Sequence, residues 1–292
     1  MSEKARALPG GCANHFIRAY YDFIFVLRED REDMRTGGRY VIRTIISGNV
    51  VEKSKFWLSS AGKVRGARTH TTSARKQDKN DQDAVKRLAR WINCNFGYKD
   101  LFVTLEYDEA GLQQIGGKRE AAEKELGLFL RRLGRAMKKA GLELRYAGGC
   151  TSDMDGETKE DARVHHHIVL PQEAAPFLDD AWHMGAYYTR SLRKQDDYTA
   201  IAAYIIAQVR RVPDAKKYKV SRNLKKPVVY EREAKRAGAM RNPAGTVLME
   251  ASQYDIESGS HYIRYVKVPK GGAGAPRQSS TAMIALKGRD AD

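Results

Sequence analysis

The chain is poor in cysteine. Its three cysteines, Cys12, Cys94 and Cys150, are odd in number, far apart and form no Cys-x-x-Cys pair. That argues against a disulfide framework and a zinc finger, and it fits a reducing cytosol. No apolar run approaches the ~20 residues of a membrane span, and the opening "MSEKARALPGG" has no signal-peptide apolar core. A cytoplasmic protein with no membrane partner is therefore expected. No internal repeat is visible. Acidic residues are also short: Asp+Glu number 36 against 52 Lys+Arg, giving a net charge of +16 and a pI near 9.7. A surplus of this size points to a polyanionic partner, nucleic acid ahead of an anionic membrane surface. The 292 residues suffice for one large core or two modest domains.

The basic charge is clustered. Residues 61–80, "AGKVRGARTHTTSARKQDKN", carry Lys63, Arg65, Arg68, Arg75, Lys76 and Lys79 with almost no apolar residues, and are expected to form an exposed loop or arm. A second basic stretch, 216–241, holds Lys216, Lys217, Arg222, Lys225 and Lys226 among others, with Tyr218 and Tyr230 interleaved. Bases with aromatics between them suit a phosphate backbone with stacked bases, although a solvated basic face has the same composition.

Between these lies the periodic part of the chain. Residues 16–58 are rich in β-formers in two blocks separated by "REDREDMRTGG", which predicts a hairpin or two strands. A helix is expected over 81–96, a strand at 101–107, a helix over 118–140 and a strand at 142–147. An acidic loop over 152–162 leads to the strand 163–170, "RVHHHIVL". A short helix at 171–182, a strand at "GAYYTRSL" and a helix over Asp196–Val209 complete the pattern. Strands grouped with segregated helices predict an α+β fold: a central antiparallel sheet with helices packed on one face, plus basic N- and C-terminal extensions.

Strand alternation sorts the three histidines. His166 shares a face with Val164, Ile168 and Leu170, the core face, while His165 and His167 share the other. Two imidazoles at i and i+2 stand ~7 Å apart at Cα and can converge on one ion. Two imidazoles do not name a metal; oxygen co-ligands would favour Mg²⁺ or Mn²⁺ over zinc. Glu106, on the Thr104 face of its strand, and Asp153 are the candidates, and each also reads as a plain surface carboxylate. In the helix over 196–209, Tyr198, Ile201, Ala202, Ile205 and Val209 form an apolar stripe, and Tyr204 is turned about 120° from its centre. A tyrosine so placed near a divalent ion can attack a phosphodiester. It also fits a half-buried tyrosine with a hydrogen-bonded hydroxyl.

"VHHHIVL" resembles the His-hydrophobic-His motif of HUH endonucleases. "NCNFGYKDLFVTLEYD" (93–108), "WHMGAYYTRSL" (182–192), "DDYTAIAAYIIAQ" (196–208) and "YKVSRNLKKP" (218–227) resemble, in order, motifs of the rolling-circle replication-associated proteins of Gram-positive plasmids, phages and integrative elements. The resemblance spans 93–227 and matches the flanking residues only weakly; together with composition, three segments are expected: a basic β-rich and arm region (1–92), a nuclease domain (93–212) and a basic DNA-binding segment with a flexible tail (213–292). It implies a histidine strand at the centre of the sheet, His165 and His167 as metal ligands, and Tyr204 as nucleophile. The activity implied is metal-dependent nicking of single-stranded DNA at a replication origin in a bacterial cytoplasm, with a 5′-phosphotyrosine intermediate and a host helicase as a further partner. A relaxase or transposase using the same chemistry, a catalytically degenerate single-strand binding protein and an RNA-binding protein are the alternatives. Two positions depart from the pattern: Ala207 stands where lysine is usual, and Glu106 where threonine is usual.

Overall fold

The computed structural model describes residues 37–59, 74–151, 164–209, 217–234 and 238–267. The architecture is α+β, with two five-stranded antiparallel sheets. The first contains β1 (Gly38–Ser47), β2 (Val50–Ser59), β8 (Val228–Glu233), β9 (Thr246–Ala251) and β10 (His261–Lys267), in the order β8-β1-β2-β10-β9. The second contains β3 (Leu101–Glu106), β4 (Ala147–Thr151), β5 (His165–Leu170), β6 (Tyr187–Ser191) and β7 (Lys219–Val220), in the order β6-β3-β5-β4-β7. The histidine strand β5 is the middle one. The described helices are α1 (Ala74–Asn95), α2 (Glu109–Ile115), α3 (Arg119–Lys139), α4 (Leu178–Ala181) and α5 (Thr199–Val209), with a 3-10 segment at Gln172–Phe177. Among the described residues no helix is long and apolar enough to cross a membrane.

Helices cover both faces of the second sheet, not one as the sequence pattern suggested. One face buries Val103, Leu105, Ile168 and Leu170 against Leu126, Phe129, Leu133 and Met137 of α3. The other packs Phe102, Val169 and Ala147 against Leu88 and Ile92 of α1 and Ala202, Ile205 and Ile206 of α5. The reason is in the strands themselves. β3 and β5 carry large apolar side chains at both parities, so neither face can be left to water.

Three boundaries shift for identifiable reasons. The block "YVIRTIISGNVVEKSKFW" is itself a hairpin, with Ser47 paired to Val50 across Gly48–Asn49. Gly48 sits at φ 59°, and a Cβ there would lie 2.4 Å from the Asn93 carbonyl oxygen of α1, so only glycine fits this tip. The strand expected at 142–147 forms instead over Ala147–Thr151. Tyr146 and Leu144 use their backbone groups on Ser221 and Asn223, while Gly148 lets β4 approach the His167 backbone closely. Helix α1 begins at Ala74, inside the stretch expected to be an arm. Its early turns are held by an ion pair between Asp81 and Lys217, a long-range partner that periodicity does not reveal. Residues 60–73, which include Arg65 and Arg68, lie outside the described residues.

The first sheet draws β1 and β2 from the start of the chain and β8 to β10 from its end. Helix α1 runs without interruption across 92/93. The segment boundaries at 92/93 and 212/213 therefore do not coincide with the sheets. Glu52 of β2 accepts two hydrogen bonds from Arg90 of α1, each 2.7 Å, and a third from the Tyr262 hydroxyl of β10 at 3.0 Å. Arg264 of β10 reaches Asp197 and Thr199 at the start of α5. The first sheet thus buttresses the helices that roof the second.

Candidate active-site cleft

Helices α1 and α5 cover the Val169 end of the sheet, and among the described residues the His165 end is open. The result is a cleft of about 730 Å³. Its floor follows from register: Thr104 lies opposite His167, and Glu106 opposite His165. Alternation then puts Phe102, Thr104, Glu106, His165 and His167 on one face, and all five line the cleft. Tyr204 of α5 forms the opposite wall, with its ring centroid 4.9 Å from that of His167 and 6.0 Å from that of Phe102. It is 49 % exposed, whereas Tyr198 on the same helix is buried and donates its hydroxyl to the Arg193 carbonyl at 3.0 Å. The helical phase read from sequence holds for both tyrosines.

Helix α5 is held in place by its N-terminus. Asp197 accepts from the Thr199 backbone N–H at 2.9 Å, an N-terminal capping arrangement. Asn93 of α1 accepts from the Tyr198 backbone N–H at 2.8 Å. The far end of β3 is clamped to the start of β6. The Trp182 indole donates to the Glu106 and Ala186 carbonyls, both at 3.2 Å. Gly185, at φ 143°, passes so near Asp108 that a Cβ would lie 2.4 Å from its nitrogen.

The two cleft histidines face each other, with their Nε2 atoms 3.1 Å apart. His167 is 2 % exposed, stacks on Phe102 and has Nδ1 3.1 Å from Thr104 Oγ1. When Nδ1 carries the proton and donates to Thr104, the Nε2 lone pair faces His165. Burial, and then the neighbouring His165, lower the His167 pKa to about 3, so the ring is neutral at neutral pH. With metal–nitrogen bonds as short as those of zinc, about 2.0–2.1 Å, tetrahedral or right angles put two nitrogens about 2.8–3.4 Å apart. The observed Nε2 separation fits two ligands on one ion. Glu106 is exposed on the same floor, yet among the described residues no three His, Cys, Asp or Glu side chains converge as a ligand set. Asp153 lies outside the described residues.

His166 points the other way, as alternation requires. It is fully buried, and its Nε2 lies 2.8 Å from the Tyr107 hydroxyl. Its pKa falls to about 3, from burial first and then from His165, Lys219 and His167.

The cleft also contains residues that the sequence patterns left unassigned: Thr104 and Phe102 on β3, Tyr188 and Arg190 on β6, and Arg193 and Gln195 beyond it. Alternation within "LFVTLEY" and "YYTRS" groups them by face, but only the strand order brings them together. Of the expected DNA-binding residues, Arg222, Lys225 and Lys226 are exposed and none lines the cleft. Lys217 is turned inward onto Asp81. Lys216 lies outside the described residues. Asn95 holds the segment by bonding both the carbonyl and the N–H of Lys225, at 2.9 and 2.7 Å.

Comparison with family models, with curated proteins and with solved structures finds no match to this chain.

Proposed function

We propose that the protein is a site-specific single-stranded DNA endonuclease and strand transferase that initiates rolling-circle replication through Tyr204. The observation that carries this reading is the placement of the exposed Tyr204 over a face-to-face histidine pair in an open cleft. The phenol oxygen of Tyr204 displaces the 3′-oxygen of one nucleotide from phosphorus. A P–O(Tyr) bond forms as the P–O3′ bond breaks, the phenol proton is lost and the leaving oxygen ends as a 3′-hydroxyl. The free hydroxyl primes synthesis; a later transesterification rejoins a strand when a 3′-hydroxyl at a strand end attacks the phosphotyrosine, forming the P–O3′ bond as the P–O(Tyr) bond breaks and Tyr204 leaves as the phenol.

His165 and His167 would hold a divalent ion, Mg²⁺ or Mn²⁺, with oxygen donors such as Glu106 or Asp153. When bound, such an ion neutralises and polarises the scissile phosphate. Thr104 orients His167, and Phe102 buttresses both that ring and Tyr204. Ala207, one turn from Tyr204, is exposed and supplies no cation; Arg190 and Arg193 line the cleft instead.

The test is incubation with a pool of labelled single-stranded oligonucleotides and Mn²⁺, followed by denaturing electrophoresis. A protein–DNA adduct is expected from the native chain and from Tyr198→Phe, and is lost in Tyr204→Phe and in His165→Ala. An adduct that survives in Tyr204→Phe, or no adduct from the native chain, overturns the assignment.

A further inference from the structure

We propose that edge strand β6 carries a nucleotide subsite beside the histidine–tyrosine cleft, in which Tyr188 stacks on an unpaired base and Arg190 takes an adjoining phosphate of single-stranded DNA. The proposal rests on reading the cleft as a single-stranded DNA site and adds to it a subsite beside the reacting histidine–tyrosine group.

Strand β6 presents its two faces differently. Tyr187 is tied down, its hydroxyl donating to Asp179 at 2.7 Å. Tyr188 is 59 % exposed, lines the cleft and has no hydrogen-bond or ring partner among the described residues. A tyrosine held open on a regular strand leaves a large apolar face in water, and stacking on a base would cover it. Register locates it: Tyr188 pairs with Thr104, which pairs with His167 on its other side. At about 4.8 Å per strand, Tyr188 and His167 are about 10 Å apart in the sheet. A base on Tyr188 then belongs to a nucleotide close to the phosphate beneath Tyr204. Because β6 is the edge of the sheet among the described residues, a bound DNA strand can pass that edge without crossing a further described β-strand of the sheet.

Charge supports the same placement. Arg190 follows Tyr188 at i+2, on the same face and opposite Phe102. Neither Arg190 nor Arg193 has an acidic partner among the described residues, and Glu106 is the one acid among the residues lining the cleft. Unpaired guanidiniums beside an exposed aromatic suit a sugar–phosphate chain with splayed bases.

The experiment measures equilibrium binding of the full chain in EDTA, so metal and cleavage do not enter. The probes are a short oligo(dT) and a strand of equal length with abasic sugars. Tyr188→Ala should weaken oligo(dT) binding by roughly five- to a hundredfold and abasic binding by no more than about twofold. Tyr188→Phe should restore oligo(dT) binding. Arg190→Gln should weaken both probes alike and reduce the log–log salt slope by about 0.7. Unchanged oligo(dT) affinity in Tyr188→Ala, or an equal loss on both probes, overturns the subsite. If the native chain forms no adduct with Mn²⁺ while this discrimination persists, the cleavage reading fails and the subsite stands.

Discussion

Replacing His166 separates the structural histidine from the two in the cleft. The side chain is 0 % exposed and packs edge-on against Tyr107 and Trp182, with centroids 5.5 and 6.0 Å away. His166→Ala removes a ring from a closed core, and losses of this kind cost about 3–5 kcal/mol. The Tyr107 hydroxyl also loses its 2.8 Å partner and keeps only a long 3.4 Å contact to the Ala122 carbonyl. His166→Phe leaves no cavity but puts a somewhat larger ring into the closed site, and the overpacking should cost less than the cavity of His166→Ala. The two variants share a second signature in pH. The native ring stays neutral down to about pH 3, whereas in the unfolded chain it takes up a proton below about 6.5. The folded pKa is the depressed one, so stability is complete above about pH 6.5 and falls with acid toward pH 3. The slope is about 1.4 kcal/mol per pH unit for this one proton. Urea unfolding in EDTA at a series of pH values measures both effects. Each variant should be less acid-sensitive than the native chain by about that slope between pH 4 and 6, and should still form the DNA adduct at a temperature where it is folded. An unchanged slope in His166→Phe would show that His166 is not held neutral. Loss of the adduct in folded His166→Phe would show that it serves the cleft.

Two further perturbations probe the roof of the site. Ala207→Lys places a cation one turn from Tyr204 at an exposed position and should raise the single-turnover adduct rate, with roughly hundredfold as the ceiling for one charge-assisted contact; an unchanged rate in a folded variant would mean that another cation of the cleft, such as Arg193, already neutralises the phosphate. Arg90→Met strands the buried Glu52 carboxylate, which is 4 % exposed, and should lower stability by about 3–5 kcal/mol in denaturant titration; a loss below about 1 kcal/mol would show that Tyr262 alone suffices to hold it.

Much of the cleft was legible along the chain because its rules are local. Period-2 alternation separated His166 from His165 and His167, and the 3.6-residue period turned Tyr204 away from the stripe that buries Tyr198. These periodicities depend on backbone geometry alone, so a single segment suffices to read them. The scarcity of cysteine and the basic surplus likewise needed no structure. What the segments could not supply was which strands adjoin. β6 lies beside β3, and β3 beside β5, so Tyr188, Thr104 and His167 fall in one row although they are scattered over the sequence from 104 to 188. The same holds for Lys217, which reads as a free base until Asp81 of α1 is brought against it, and for the helices on both faces of the sheet. Alternation says which side chains share a face, but strand order, register and long-range ion pairs depend on how distant segments bury one another, and only the tertiary structure decides that.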